Sequence, residues 1–164
     1  PGTLLALFGG IYYWFPKATG RKMNDLLGRI HFWGSFLALN VVFMPMFIQG
    51  LSGMNRRMYD GGAGYTMNQD VLVWNEVISI AAWALGFFQL FFIYNFFHSI
   101  KKGEKVGNNP WDATTLEWTA PSPPPHGNFV DGDGHPEVPT AYRGPYEYSV
   151  PGAKTDFIMQ GEKV

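Results

Sequence analysis

The sequence predicts an all-α fold: a fragment of a transmembrane helical bundle, with one half-helix, two spanning helices and an irregular Pro-rich tail. Hydrophobic residues make up 46% of the 164 residues and aromatic residues 17%. They are concentrated before Lys101, whereas nine of the twelve prolines follow it. We therefore divide the chain into a membrane segment, 1–105, and an extramembrane tail, 106–164.

Two apolar stretches are long enough to span a bilayer as helices. The first, 30–51, reads IHFWGSFLALNVVFMPMFIQGL and has no Asp, Glu, Lys or Arg. The second, 71–100, reads VLVWNEVISIAAWALGFFQLFFIYNFFHSI, and Glu76 is its one carboxylate. A helix needs roughly 20 apolar residues to cross the hydrocarbon core. Both stretches exceed that length, so we expect two transmembrane helices.

A shorter apolar stretch lies at the start of the chain, at 2–15. It cannot cross a layer about 30 Å thick at about 1.5 Å per residue. A re-entrant piece or a buried soluble helix would also fit this length. Because its end, YYWFP, is typical of a membrane exit, we expect the second half of a helix whose first half belongs to another polypeptide.

Basic residues in the short connections predict the orientation in the membrane. The connections that follow the first and last apolar stretches are basic, and the connection between the two long stretches is less so. The residues are Lys17, Arg21, Lys22 and Arg29; then Lys101, Lys102 and Lys105; and, between the long stretches, Arg56 and Arg57. We expect the first connection and the tail on the cytoplasmic or matrix side, and the arginine pair on the opposite side.

The arginine pair, Arg56 and Arg57, is the main candidate site. It ends the stretch LSGMNRR, directly beyond the predicted membrane boundary. Guanidinium groups are permanently charged and present a planar fork of donors that suits carboxylates. The pair could therefore bind an anionic group held in the bilayer. Solvation by lipid headgroups, or pairing with Asp60, would explain the same two residues.

Cysteine is absent, which excludes disulfides and thiolate metal sites within this chain. The formal net charge is −1, and we expect no nucleic-acid partner.

Within the tail, Asp131–Pro136 reads DGDGHP and lacks the ligand set of a calcium loop, so we predict a turn there. Tail prolines favour extended geometry, and the motifs NPW and TLEW supply aromatic anchors for docking.

Several motifs together resemble the end of subunit I of the haem-copper cytochrome oxidases. They are the WFP exit, the TGR turn, the RIHF helix start, an Asn and a Pro inside the next helix, and GLSGM followed by two arginines. Further on, WNEVISI resembles the start of that subunit's last transmembrane helix. NPWDATTLEWTAPSPPPHGNF resembles its C-terminal tail. The resemblance extends from Gly2 to about Val138.

The resemblance implies that the chain provides the end of helix ten, helices eleven and twelve, and the C-terminal tail. It further implies that Arg56 and Arg57 bind the propionates of two haems, which we expect to be a-type, and that Phe43 packs near one haem. The family usually has PQHF where this chain has PMFI, at 45–48. That departure puts in doubt a polar contact from this turn to a haem.

Metal ligands of the family lie on other helices, so the resemblance implies no catalytic residue and no iron or copper ligand in this fragment. We expect a cut or separately encoded C-terminal piece, completed by the N-terminal remainder of subunit I and by subunits II and III. Haem and copper would be ligated by the rest of subunit I and by subunit II, not by this chain. Cytochrome c is the expected electron donor, and oxygen reduction to water with proton pumping is the expected reaction. The membrane would be bacterial cytoplasmic or mitochondrial inner.

Other polar residues in the helices have more ordinary explanations. We expect His31 to be an interfacial histidine, and Asn40 and Gln89 to bond neighbouring helices. Three alternatives to the oxidase reading remain: a quinol-oxidising homologue, a non-catalytic assembly subunit of a respiratory complex, and part of a transporter with a broken helix along its substrate path.

Overall fold

The computed structural model describes residues 2–130, 133–135, 137–144 and 158–163. Its main elements are three α-helices, α1 (Gly2–Thr19), α2 (Asp25–Leu51) and α3 (Val73–Lys102). Short 3-10 helices lie at Thr66–Val71 and Leu116–Trp118. Two short strands, β1 (Arg21–Lys22) and β2 (Glu104–Lys105), pair antiparallel. The all-α prediction, with two long apolar helices and an irregular tail, is confirmed.

α1 and α2 are longer than the predicted apolar stretches, because each continues into polar residues at one end. α1 runs through Pro16 to Thr19 and ends where Gly20 adopts a φ of 67° and donates its N–H to the carbonyl of Pro16. α2 begins five residues before the predicted start, because the Asn24 side chain accepts the N–H of Leu27 at 3.0 Å. Such a cap satisfies one of the free donors of the first turn.

Two helices are long and apolar enough to cross a membrane: Asp25–Leu51, and the continuous stretch Gln69–Lys102. Many of their large apolar side chains are exposed, and Trp83 on α3 is 83% exposed. Exposed apolar faces of this extent need lipid or other helices to cover them. Both helices therefore fit the predicted transmembrane segments.

The described chain forms two compact units, one of which contains Asn24–Phe97. In this unit α2 and α3 run antiparallel, because residues early in α2 contact residues late in α3. At one end the Asn24 N–H donates to Asn95 Oδ1, and Asn95 Nδ2 donates back to the Asn24 carbonyl, both at 2.9 Å. At the other end Gln49 Nε2 donates to Asn75 Oδ1 at 2.8 Å.

Between these ends the two helices approach closely at Gly34. A Cβ on Gly34 would overlap the ring of Phe88, so a larger residue there would require the ring or the helices to move. Nearby, Gln89 bonds both His31 and Ser35 across the helix pair. Small residues and interhelical polar bonds are the usual means of holding helices together in lipid.

The second unit contains Gly2–Met23 and the chain from His98 onward. Here the tail docks on the end of α1. The indole nitrogens of Trp111 and Trp118 donate to the carbonyl and the hydroxyl of Tyr13, each at 2.9 Å. Lys17 Nζ donates to the Ala120 carbonyl at 2.6 Å. The tryptophans of the NPW and TLEW motifs therefore anchor this part of the tail on α1.

Gln160 makes several hydrogen bonds with other parts of the tail in this unit. The N–H of Gln160 donates to the Thr114 carbonyl at 3.0 Å, and its Oε1 accepts the N–H of Leu116 at 2.9 Å. The Gln160 carbonyl accepts the N–H of Tyr142 at 2.8 Å. One glutamine thus connects three segments in the described part of the tail.

Candidate functional site

The site begins where α2 ends, in the stretch LSGM. Gly53 has a φ of 86°, a conformation that glycine adopts without steric cost. The N–H of Met54 donates to the Gln49 carbonyl, and the N–H of Gly53 to the Gly50 carbonyl, each at 3.1 Å. This pair of bonds is a Schellman motif, which satisfies the last free carbonyls of a helix. It ends α2 and directs the chain into the arginine pair.

Arg56 and Arg57 are both exposed in the loop between α2 and α3. Arg57 has a φ of 61°, in the left-handed region that non-glycine residues adopt at a cost of about 1–2 kcal/mol. Backbone strain of this kind is concentrated at functional sites. Neither guanidinium makes a hydrogen bond or ion pair with any residue that the structure describes, so both are available to an external anion.

Asp60, the nearest acidic residue along the chain, is engaged by the backbone. Its carboxylate accepts the N–H of Gly62 at 3.0 Å and the N–H of Gly64 at 2.6 Å. These bonds lower the pKa of Asp60 from its ordinary value, so the carboxylate stays ionised at neutral pH. Asp60 therefore shapes the turn after the arginines and is not their partner.

An open cleft of about 940 Å³ lies beside the arginines. Its apolar wall comes from the last turns of α2, with Phe43, Met46 and Phe47, and its rim from the loop with Arg56 and Arg57. The structure thus brings together the three residues that the sequence analysis assigned to a haem site. A cleft with an apolar wall and a cationic rim suits an apolar ligand that carries carboxylates.

Other sequence predictions have mixed outcomes. His31, which is predicted to lie at the membrane interface, is 2% exposed, and its Nε2 lies 3.1 Å from Gln89 Oε1. The carbonyl oxygen of an amide can only accept, so the imidazole Nε2 carries the proton in this bond. Gln89 bonds the neighbouring helix, as predicted. Asn40 instead donates to the Phe36 carbonyl of its own helix, at 2.7 Å.

One prediction concerns a part of the tail that is only partly described. Asp131, Gly132 and Pro136 of the expected turn lie outside the described residues. In the described part of the chain, no group of three or more His, Cys, Asp or Glu side chains is placed to hold a metal ion.

Sequence reasoning missed Gln49 and Asn75. Gln49 is 6% exposed and donates through Nε2 to the Val71 carbonyl at 3.1 Å and to Asn75 Oδ1 at 2.8 Å. Asn75 Nδ2 in turn donates to the Gly61 carbonyl at 3.0 Å. A signal was present, because Gln49 is a polar residue among the apolar residues of the last turns of α2 and should need a partner.

Comparison with known proteins gives a consistent result. Residues 1–84 match the sequence model of the family described as cytochrome c and quinol oxidase polypeptide I. An alternative cytochrome c oxidase subunit 1 from Bradyrhizobium diazoefficiens is 42% identical over 160 residues, which cover 97% of this chain and 26% of that protein.

Two further relatives are named cytochrome c oxidase subunit 1. The protein from Synechocystis sp. is 44% identical over 149 residues, 91% of this chain and 25% of the relative. The protein from Thermostichus vulcanus is 38% identical over 149 residues, with the same two shares. The chain therefore spans about a quarter of the length of the curated relatives it matches.

Proposed function

The chain belongs to the cytochrome c and quinol oxidase polypeptide I family, and from this premise we propose that it forms the C-terminal part of the catalytic subunit of a haem-copper terminal oxidase. In the assembled complex, oxygen is reduced to water and protons are pumped across the membrane. This chain contributes one wall of a haem pocket, the arginine pair that binds the haem propionates, and two helices of the bundle.

The observation that carries this proposal is the arginine pair at the rim of the apolar cleft. Arg56 and Arg57 find no anion in the described chain, and Asp60 is bound to the amides of Gly62 and Gly64. Phe43 lies on the apolar wall of the same cleft. A haem has an apolar macrocycle and two propionate carboxylates on one edge, so these residues fit such a group.

Arginine suits this role for physical reasons. Its guanidinium stays charged at every physiological pH and pairs with a carboxylate through two parallel hydrogen bonds. A hydrogen bond to a charged group contributes about 1.5–3 kcal/mol to stability. Fixed positive charge near a haem also favours its reduced form, because reduction removes one positive charge from the iron. Arg56 and Arg57 therefore anchor the cofactor and raise its midpoint potential.

The haem irons and copper supply the redox chemistry when they are bound, and their ligands come from outside this chain. The N-terminal remainder of subunit I provides the histidines, and a neighbouring subunit provides further copper sites. Phe43 packs against the macrocycle from α2. This chain's own contribution to the site is positional and electrostatic, and none of its residues is catalytic.

The charge pattern and the fold support a membrane arrangement for the complex. The segment 1–105 lies in a bacterial cytoplasmic membrane or a mitochondrial inner membrane, with α1 as the end of a helix that another part of subunit I begins. The tail, 106–164, lies on the cytoplasmic or matrix side with Lys101, Lys102 and Lys105. Subunits II and III contact the assembled bundle, and cytochrome c delivers electrons, since the relatives carry that donor in their names.

Redox titration of the assembled oxidase tests the proposal. Replacement of Arg56 or Arg57 by Met removes one positive charge and keeps the length of the apolar stem. Each variant should lower a haem midpoint potential by tens of millivolts, about 59 mV for every 1.4 kcal/mol of redox-dependent stabilisation lost. Arg→Lys substitutions at the same positions keep the charge but lose the fork, so they should have a smaller effect.

Lys105→Met serves as the control, because it removes a cation from β2, on the predicted opposite side of the membrane. Its haem potentials should match those of the unmodified oxidase. If both arginine variants assemble with full haem absorption bands and unchanged potentials, the arginines contact lipid headgroups instead. The chain would then have a structural role in the complex.

A further inference from the structure

The loop that carries the arginine pair is fixed to the helices through a buried amide. Gln49 lies in the last turn of α2 and is 6% exposed. Its Nε2 uses both hydrogens, one toward the Val71 carbonyl at 3.1 Å and one toward Asn75 Oδ1 at 2.8 Å. Gln49 lies where the loop begins, and its two hydrogen bonds connect it to Val71 and Asn75, where the loop ends.

Asn75 extends this connection into the loop. Its Nδ2 donates to the Gly61 carbonyl at 3.0 Å. Gly61 has a φ of 63°, which places the chain in the left-handed region at this contact. The bonds thus run from Gln49 through Asn75 to Gly61, four residues after Arg57, and the Schellman motif at Gly53 holds the loop four residues before it.

We propose that Gln49 and Asn75 are positioning residues for the arginine pair: they hold the loop so that Arg56 and Arg57 face the cleft. Gln49 and Gly61 also line that cleft, together with the two arginines. The inference rests on the proposed haem-binding role and adds to it the residues that set the geometry.

The physical basis is the cost of leaving buried polar groups unpaired. Without Gln49, the Val71 carbonyl and Asn75 Oδ1 lose their common donor in a partly buried position, and the loop relaxes to satisfy them. A shift of about 1 Å at the end of a guanidinium is enough to weaken an oriented hydrogen bond, because functional groups need to be held within about 0.5 Å of their productive geometry.

The test replaces Gln49 by Met in the assembled oxidase and measures haem midpoint potentials. The substitution nearly conserves side-chain length and changes no formal charge, so it tests the position of the arginines without removing a cation. We expect a lower potential, in the same direction as Arg57→Met and smaller in size. Infrared bands of the haem carboxylates should shift as well, because their hydrogen bonds change.

Gln89→Met is the matched control. It removes the same type of side chain from the same helix pair, but from the layer where Gln89 bonds His31 and Ser35. It should weaken the helix pair without moving the potential or the carboxylate bands. Asn75→Ala removes the second member of the connection, again without a change in charge, and covers the case in which Gln49→Met does not assemble.

The outcomes separate the two proposals. If the arginine variants shift the potential but Gln49→Met and Asn75→Ala do not, the positioning role is wrong and the haem-binding role stands. Equal shifts in Gln49→Met and Gln89→Met would mean that any loosening of the helix pair acts on the haem, which also overturns the positioning role. If the arginine variants leave the potential unchanged, the proposed function fails first.

Discussion

The specific contacts in this chain are made by individual side chains. From the sequence it was easier to predict which side chains matter than which residues they contact. The sequence identified Arg56 and Arg57 as a candidate anion site, because two fixed cations follow a predicted membrane boundary. It did not indicate that Gln49 bonds Asn75, since the partners are 26 positions apart and only the antiparallel packing of α2 and α3 brings them together. Hydrophobic periodicity and charge predict local structure. A contact between two helices depends instead on how the helices are aligned along each other.

Lys17 on α1 is a second residue whose contacts, here with the tail, could not be predicted from the sequence. The topology argument used it as one basic residue among several, but it is buried, with 9% of its surface exposed. Its Nζ donates to the carbonyls of Ala120 and Asn108 at 2.6 and 3.0 Å and lies 5.0 Å from the centre of the Trp118 ring. A lysine that replaces water with carbonyls and an aromatic face is a structural anchor.

Replacement of Lys17 by Met should therefore loosen the tail. Each hydrogen bond from a charged donor contributes about 1.5–3 kcal/mol, so protection of the nearby backbone amides should fall by roughly tenfold or more. Hydrogen exchange with mass spectrometry on peptides covering 108–122 measures this effect. Lys102→Met, at an exposed position, is the control. Equal exchange in the two variants would contradict the anchoring role.

At the level of elements, hydropathy predicted both long helices but not where they begin. α2 starts at Asp25 because Asn24 caps it, and its first turns include Arg29, which a search for uncharged stretches excludes. Similarly, α1 continues through Pro16 to Thr19, although the proline suggested an end. Capping and packing decide helix ends, and both depend on single residues rather than on average hydropathy.

The contact between α2 and α3 depends on Gly34. A Cβ there would lie 2.2 Å from the Phe88 ring, closer than atoms can approach. Gly34→Ala should force the helices apart and cost about 1–3 kcal/mol, as overpacking does in other interiors. Gly86→Ala on α3 is the matched control, because a Cβ at Gly86 meets nothing within 4 Å.

Thermal loss of the haem absorption bands in the assembled oxidase measures this difference. The Gly34 variant should lose its bands at a lower temperature, and the Gly86 variant should behave like the unmodified protein. The double variant Gly34→Ala with Phe88→Leu should recover part of the loss, because it removes the ring from the contact. Identical transitions for both alanine variants would show that the close approach at Gly34 is unimportant.

For the whole molecule, the sequence fits a piece of a larger bundle, and the structure agrees with that interpretation. Large apolar side chains such as Ile80 and Trp83 are 70% and 83% exposed, which requires lipid or further helices around them. The relatives are about four times as long as the region they share with this chain. Hydropathy could predict the apolar surface, but what covers each part of it depends on segments beyond these residues.

The proposed orientation can be tested because the chain contains no cysteine. Tyr59→Cys places a thiol at a fully exposed loop position, and Gly107→Cys places one in the tail where a Cβ meets nothing within 4 Å. A membrane-impermeant maleimide should label the first on this chain only from the outer side and the second only from the cytoplasmic or matrix side. Labelling of both from one side would overturn the topology.

A density map of the assembled oxidase tests the central claim most directly. We predict propionate oxygens about 2.7–2.9 Å from the guanidinium nitrogens of Arg56 and Arg57, the distance of a charge-assisted hydrogen bond. The macrocycle of one haem should lie along the cleft wall at Phe43. A map in which both guanidinium groups contact lipid phosphates, with every haem carboxylate bound elsewhere, would contradict the proposed role of this chain.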